Sequence, residues 1–161
     1  MKPFPILFLA GLLLLPAQAA RRVGEAQVRA DANGQPCFTI SEDEERRSGN
    51  PDFQAITVSE GQRTLWRMSM PAERTFPMSA AMCIPYGGRV PSLPQTPAAS
   101  LQDGAVYTVS METRSVRKPA APLRYQARFC LMRRQDGVGV QQVEAKASAG
   151  RAPDGCAPRR G

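Results

Sequence analysis

Residues 123–132 alternate without a break. Leu123, Tyr125, Ala127, Phe129 and Leu131 fall on one face, and Arg124, Gln126, Arg128, Cys130 and Met132 on the other. A period of two sustained over this length excludes a helix and commits the segment to a half-buried β-strand. A strand of this kind needs partners, and the rest of the chain supplies them. Ala26, Val28 and Ala30 alternate with Glu25, Gln27 and Arg29, and an Asn33-Gly34 turn leads into Cys37-Phe38-Thr39-Ile40. These two segments read as a hairpin. Residues 53–59, with Ile56 and Val58 facing inward, and residues 65–70 are the next strands. Trp66, Met68 and Met70 share one face of the latter, and such a stripe is a core face before it is a ligand platform. Residues 80–84 read as a short strand, residues 105–111 as a longer one, and Val138, Val140 and Val143 as a closing strand after an Asp136-Gly137 turn.

The segments between them read as connectors. Ser41 to Pro51 is polar, with the acidic run Glu42-Asp43-Glu44-Glu45, and is expected to be a solvated loop. That run lacks the alternating ligand spacing of a calcium loop. Pro71 to Pro77 is a linker, and Pro85, Pro91, Pro94 and Pro97 keep residues 85–100 out of any central strand. This proline-rich stretch is expected to be a stiff surface crossover rather than an exposed recognition strip. No helix is expected anywhere. About eight short strands with turn signals at close spacing predict an all-β fold: an antiparallel two-sheet sandwich, immunoglobulin-like.

Ahead of these strands, Lys2, the apolar run Ile6 to Leu15 and Ala17-Gln18-Ala19 match a cleaved secretion signal over residues 1–20. The run is too short for a permanent bilayer span, which needs about 20 apolar residues. No cysteine follows the cleavage point, so no lipid or other stable membrane anchor is implied. The mature chain is expected to be a soluble periplasmic protein. It divides into a sandwich over 21–144 and a flexible tail over 145–161, tethered by Cys156.

Export gives the four cysteines their meaning. Cys37, Cys83, Cys130 and Cys156 form an even set with no close C-x-x-C hook, so disulfides are expected rather than a metal site. Three pairings are open. Cys37–Cys83 with Cys130–Cys156 is preferred, because the first joins two strands and the second fastens the tail to the longest strand. In the loop-entropy picture each closure contributes roughly 3–4 kcal/mol.

The charge balance is basic, with Lys+Arg 21 against Asp+Glu 14 and a formal net charge of +7. Most cations are arginines. Arg114, Arg117 and Lys118 sit on an expected hairpin loop, and Arg124 and Arg128 lie beside it on the outward face. This stripe is the candidate partner-binding surface, suited to an acidic protein. The competing reading is a charged sheet edge that discourages edge-to-edge pairing. Nucleic acid is disfavoured as a partner, because Tyr107, Tyr125 and Phe129 fall on core faces rather than among the cations. The histidine count is zero, which removes the Ser-His-Asp triad, the Cys-His pair and histidine metal sites. Paired carboxylates or a Ser-Lys dyad stay open for a small hydrolase, but no residues mark either. No catalytic residue, cofactor or metal is assigned.

Several ordered segments resemble the type VI secretion immunity periplasmic (lipo)proteins of bacteria. They are Pro36-Cys37-Phe38-Thr39-Ile40, Leu65-Trp66-Arg67, Cys83-Ile84-Pro85-Tyr86-Gly87-Gly88, Tyr107-Thr108-Val109-Ser110-Met111 and Tyr125-Gln126-Ala127-Arg128-Phe129-Cys130-Leu131. The resemblance implies a β-sandwich that binds a toxin delivered into the periplasm and neutralises it by steric occlusion, without catalysis. This chain departs from the lipoproteins of that group, having Ala19-Ala20-Arg21-Arg22 where a lipidated cysteine would stand. The alternative role is a structural or assembly module of the envelope, such as a pilus-type subunit.

Overall fold

A computed structural model describes residues 22–114, 121–134, 137–143 and 156. The expected leader, Arg117, Lys118 and nearly all of the expected tail lie outside the described residues. The described chain is mostly β. In order it forms β1 (Gly24–Ala30), β2 (Pro36–Ile40), α1 (Glu42–Ser48), β3 (Asp52–Glu60) and β4 (Arg63–Ser69), then β5 (Phe76–Pro77), β6 (Ile84–Pro85), β7 (Val106–Arg114), β8 (Arg124–Arg134) and β9 (Gly137–Val143). All the strands join one curled sheet in the order β4-β3-β7-β8-β1-β2-β6, with β5 on β3 and β9 on β8.

The sheet is mixed, where antiparallel pairing was expected. β1 enters parallel to β8, through Gly24↔Tyr125 and Glu25↔Gln126, and then leaves to pair antiparallel with β2. A Cβ at Gly24 would lie 2.4 Å from Tyr125 Cδ1, so only glycine lets β1 approach the buried ring this closely. β9 occupies the same edge of β8 further along, from Arg128 to Arg134. Where β1 has left that edge, Gln142 of β9 closes the gap. Val28 N donates to Gln142 Oε1 (2.8 Å), and Gln142 Nε2 donates to the Ala26 carbonyl (3.2 Å). One side-chain amide thus replaces a missing backbone ladder and satisfies a donor and an acceptor that the curl would otherwise orphan.

The curl brings β2 over the inner face of the remaining strands. The Phe38 ring lies 5.4 Å from Phe129 on β8 and 6.5 Å from Trp66 on β4. Around them pack Ile40, Phe53, Ile56, Val58, Met68, Tyr107, Val109, Met111 and Tyr125, all buried. The Trp66–Met68 stripe is therefore core, with Met70 half-buried at its margin. Leu123, expected on the same face, precedes β8 and is 40% exposed.

Two expectations for the connectors change. The acidic run is the helix α1 and not a loop. Ser41 caps it by accepting from Glu44 N, four acidic residues fill its first turn, and Arg46 and Arg47 fill its last. Each arrangement favours helix at the terminus it occupies. Residues 80–83 are turn and coil, and the strand here is only Ile84–Pro85. Side chains satisfy that backbone instead of a ladder: Thr39 Oγ1 donates to the Ser79 carbonyl, and Ala80 N donates to Glu45 Oε2.

The proline-rich crossover does lie at the surface, and it has a task there. Ser69 N donates to Pro94 O, Thr96 N to Arg67 O and Ala99 N to Leu65 O, so the segment caps the free edge of β4. Pro94 turns its carbonyl toward β4 and, being proline, has no N–H to offer there. The disulfides are Cys37–Cys83 and Cys130–Cys156. The first ties β2 to the segment just before β6. The second seats Cys156 against the outer face of β8, where Cys130, Val143 and Cys156 form a small buried cluster.

Candidate functional site

The strand registers fix which side chains share the outer face of the sheet. One row runs Arg67, Thr57, Ser110, Gln126, Glu25 across β4, β3, β7, β8 and β1. The next row toward the β7–β8 connection runs Ser69, Ala55, Glu112, Arg124, and the next row away from it contains Ser59, Thr108, Arg128 and Val143. This face is polar and free of aromatic rings. Arg124 and Arg128 therefore do share a face, as the alternation implies. Arg114 ends β7 close by and is exposed, while Arg128 is half-buried. Arg117 and Lys118 fall outside the described residues. Arg133, further along β8, pairs with Asp103 at 3.0 Å and stays largely exposed.

At the end of the sheet where β7 leads toward β8, a basin of about 440 Å³ opens to solvent. Arg22, Val23, Gln54, Glu112, Thr113, Leu123 and Arg124 line it. Val23 is 54% exposed and Leu123 40%. Met82, Val90 and Val138 are comparably exposed elsewhere on the surface, so what sets this pair apart is that both line one basin together with charged groups. Glu112 and Arg124 stand opposite each other in the ladder, yet they are not within ion-pair distance. Gln54 sits where the β3–β7 register shifts, between Phe53 and Ala55. Its Nε2 donates to Met70 O (3.2 Å), and its Oε1 has no partner among the described residues.

The wall beside the basin is rigid. Arg22 donates from both terminal nitrogens to the carboxylate of Glu44 (2.7 and 2.9 Å) and also to Ser48 Oγ (3.0 Å). Glu44 is nearly fully buried on α1. Burial alone would raise its pKa, but the Arg22 hydrogen bonds and charge, a backbone bond from Glu25 and the charge of Arg47 together hold it below the usual range. The paired carboxylate in turn raises the pKa of Arg22. Tyr125, under Gly24, has its hydroxyl buried beside this pair without a hydrogen bond of good geometry, and burial pushes its pKa up. The clasp joins the start of β1 to α1 and so fixes where Arg22 and Val23 meet the basin.

Reading the sequence found only Arg124 of this lining. Arg22, Val23, Gln54, Glu112 and Leu123 come from separated segments, and no spacing links them. A bidentate arginine–carboxylate clasp and an exposed Leu at a strand entry leave no local signature. Among the described residues no group of three or more His, Cys, Asp or Glu side chains is placed to hold a metal ion. No helix among them is long and apolar enough to cross a membrane. In comparisons with known proteins, no family model, no curated protein and no solved structure matches the chain.

Proposed function

We propose that this chain is an exported binding protein of the periplasm, and that its role is immunity. It would bind a cognate antibacterial toxin delivered by type VI secretion and neutralise it by covering the toxin's active site. No bond is made or broken by the chain itself. The observation that carries this reading is the basin at the β7–β8 end, where exposed Val23 and Leu123 stand among Arg22, Glu112 and Arg124 on a rigid support. Interface anchors commonly sit in such partly apolar, charge-rimmed hollows. The two disulfides support the compartment, since bridges of this kind persist where the surroundings are oxidising. The ordered resemblance to immunity proteins supplies the toxin as the partner. The sandwich form belongs to the same proposal: β1, β2 and β6 act as the second layer over the core.

Arg114, Arg124 and Arg128 provide a positive rim that speeds encounter with an acidic surface. The test is growth rescue. Toxins encoded beside the gene are sent to the periplasm with and without this protein, and complexes are then isolated. Rescue with a stoichiometric complex is expected. If no adjacent toxin is neutralised or bound, the immunity role is lost.

A further inference from the structure

The two disulfides sit in different surroundings. Cys130 and Cys156 are both buried, in a cluster with Val143, and the residues opposite Cys130 in the sheet are Val106 and Gln141. In the other bridge Cys37 is buried on β2, but Cys83 is half-buried and follows the exposed Met82. Thiol–disulfide exchange needs a thiolate to reach one sulfur while the other departs, so access and leaving-group stability select both the bridge and the sulfur. Access favours Cys83 as the sulfur attacked. Leaving-group stability favours Cys37 as the one released, because Arg29 of β1 stands directly opposite it in the ladder. Directly opposed residues share a face, with Cβ atoms roughly 5 Å apart. The Arg29 guanidinium donates to Gln27 Oε1 (3.2 and 2.6 Å), a neutral partner that leaves its charge uncancelled. A cation in this position lowers the pKa of a departing thiolate.

The segment carrying Cys83 can open without the sheet. Residues 79–83 are turn and coil, and Thr39 and Glu45 hold them through side-chain hydrogen bonds. Backbone anchors stand on either side: Met78 N donates to Pro51 O (2.9 Å), and Ile84 and Pro85 pair with β2. We propose that Cys37–Cys83 is a reversible thiol–disulfide exchange site whose co-reactant is a dithiol. One thiolate of the dithiol attacks Cys83 Sγ, the bond to Cys37 breaks, and Cys37 leaves as a thiolate beside Arg29 and takes a proton from water. The second thiolate of the reagent attacks the mixed disulfide and releases Cys83. The protein gains two thiols and the dithiol becomes a disulfide. Residues 79–83 are freed between their anchors, while Cys130–Cys156 stays closed in the folded chain. This exchange goes beyond the immunity role and is independent of it.

The test is exchange on the purified, disulfide-bonded protein under native conditions, with dithiothreitol as the dithiol. Samples are quenched in acid, alkylated and mapped by peptide mass. Cys37 and Cys83 are expected to label at least about tenfold faster than Cys130 and Cys156, and the two bridges should react at similar rates in urea. Glutathione, a monothiol, should be trapped as an adduct on Cys83 when an alkylating agent holds Cys37 open. Arg29→Gln should slow native exchange about threefold or more without altering the Cys130–Cys156 rate, and Arg29→Lys should restore it. Faster reaction with reduced thioredoxin than with dithiothreitol at equal concentration identifies a protein as the co-reactant, and slower reaction a small molecule. Equal or faster opening of Cys130–Cys156, an adduct on Cys37, an unchanged rate in Arg29→Gln, or no exchange short of unfolding would each overturn the proposal.

Discussion

The two faces of β8 obey opposite rules. Inward, Tyr125, Ala127, Phe129 and Leu131 are all buried, and the Phe129 ring packs against Phe38 of β2 and Tyr107 of β7. Outward, Arg124, Gln126 and Arg128 stand in rows of Ser, Thr and Glu with water over much of them. Where Cys156 is bridged onto Cys130, the outer face acquires a buried patch of its own. One strand therefore carries two kinds of information. Its inner residues are replaceable only at the cost of packing. Its outer residues are constrained by whatever they meet, and that freedom is what a binding protein requires.

The largest effect expected from breaking this contrast is at Phe129. Phe129→Ala removes a fully buried ring between Phe38 and Tyr107 and should cost about 3–5 kcal/mol, read as a shift in the urea midpoint. Gly24→Ala comes next. It drives a methyl into the Tyr125 ring, so the parallel start of β1 must move away, at about 1–3 kcal/mol. Hydrogen exchange should then show faster opening at Gly24–Val28 than at β7.

The Arg22–Glu44 clasp is intermediate. Glu44→Gln should cost about 1–2 kcal/mol, less than a wholly buried pair because Arg22 is partly solvated. The pair also makes stability depend on pH with a defined sign. Glu44 titrates lower in the folded protein than its ordinary value of 4.5. Its contribution is thus complete above that pH and is lost as pH falls through the depressed folded value. The Gln variant should lose this acid-side slope, measured by denaturation from neutral pH downward. Smallest of all, Arg128→Ser on the outer face should change stability by no more than about 0.5 kcal/mol, while slowing association with an acidic partner at low salt.

Much of the strand content was legible, because alternation on β8, β1 and β7 is imposed by burying one face of each. The disulfides found are the pair preferred from the sequence. The helix α1 was present in the sequence as Ser41 followed by Glu44, with acids leading and arginines trailing, but its short length hid the periodicity that usually reveals a helix. The parallel β1–β8 contact was not legible, since it rests on two residue pairs and on the absence of a side chain at Gly24. The basin was nearly invisible for a related reason. Its lining is drawn from the start of β1, a register shift in β3, and the ends of β7 and β8. Only the closed fold makes those positions neighbours.

The central claim is that the fold resides on the inner face of β8, while recognition resides at the outer end beside Leu123. The direct measurement compares periplasmic protection by the unaltered chain and by Leu123→Asp, at matched abundance and matched thermal stability, against the adjacent toxin. The account predicts full protection by the first and at least about a tenfold weaker complex with loss of protection by the second. Equal protection by both would place recognition elsewhere on the molecule and contradict it.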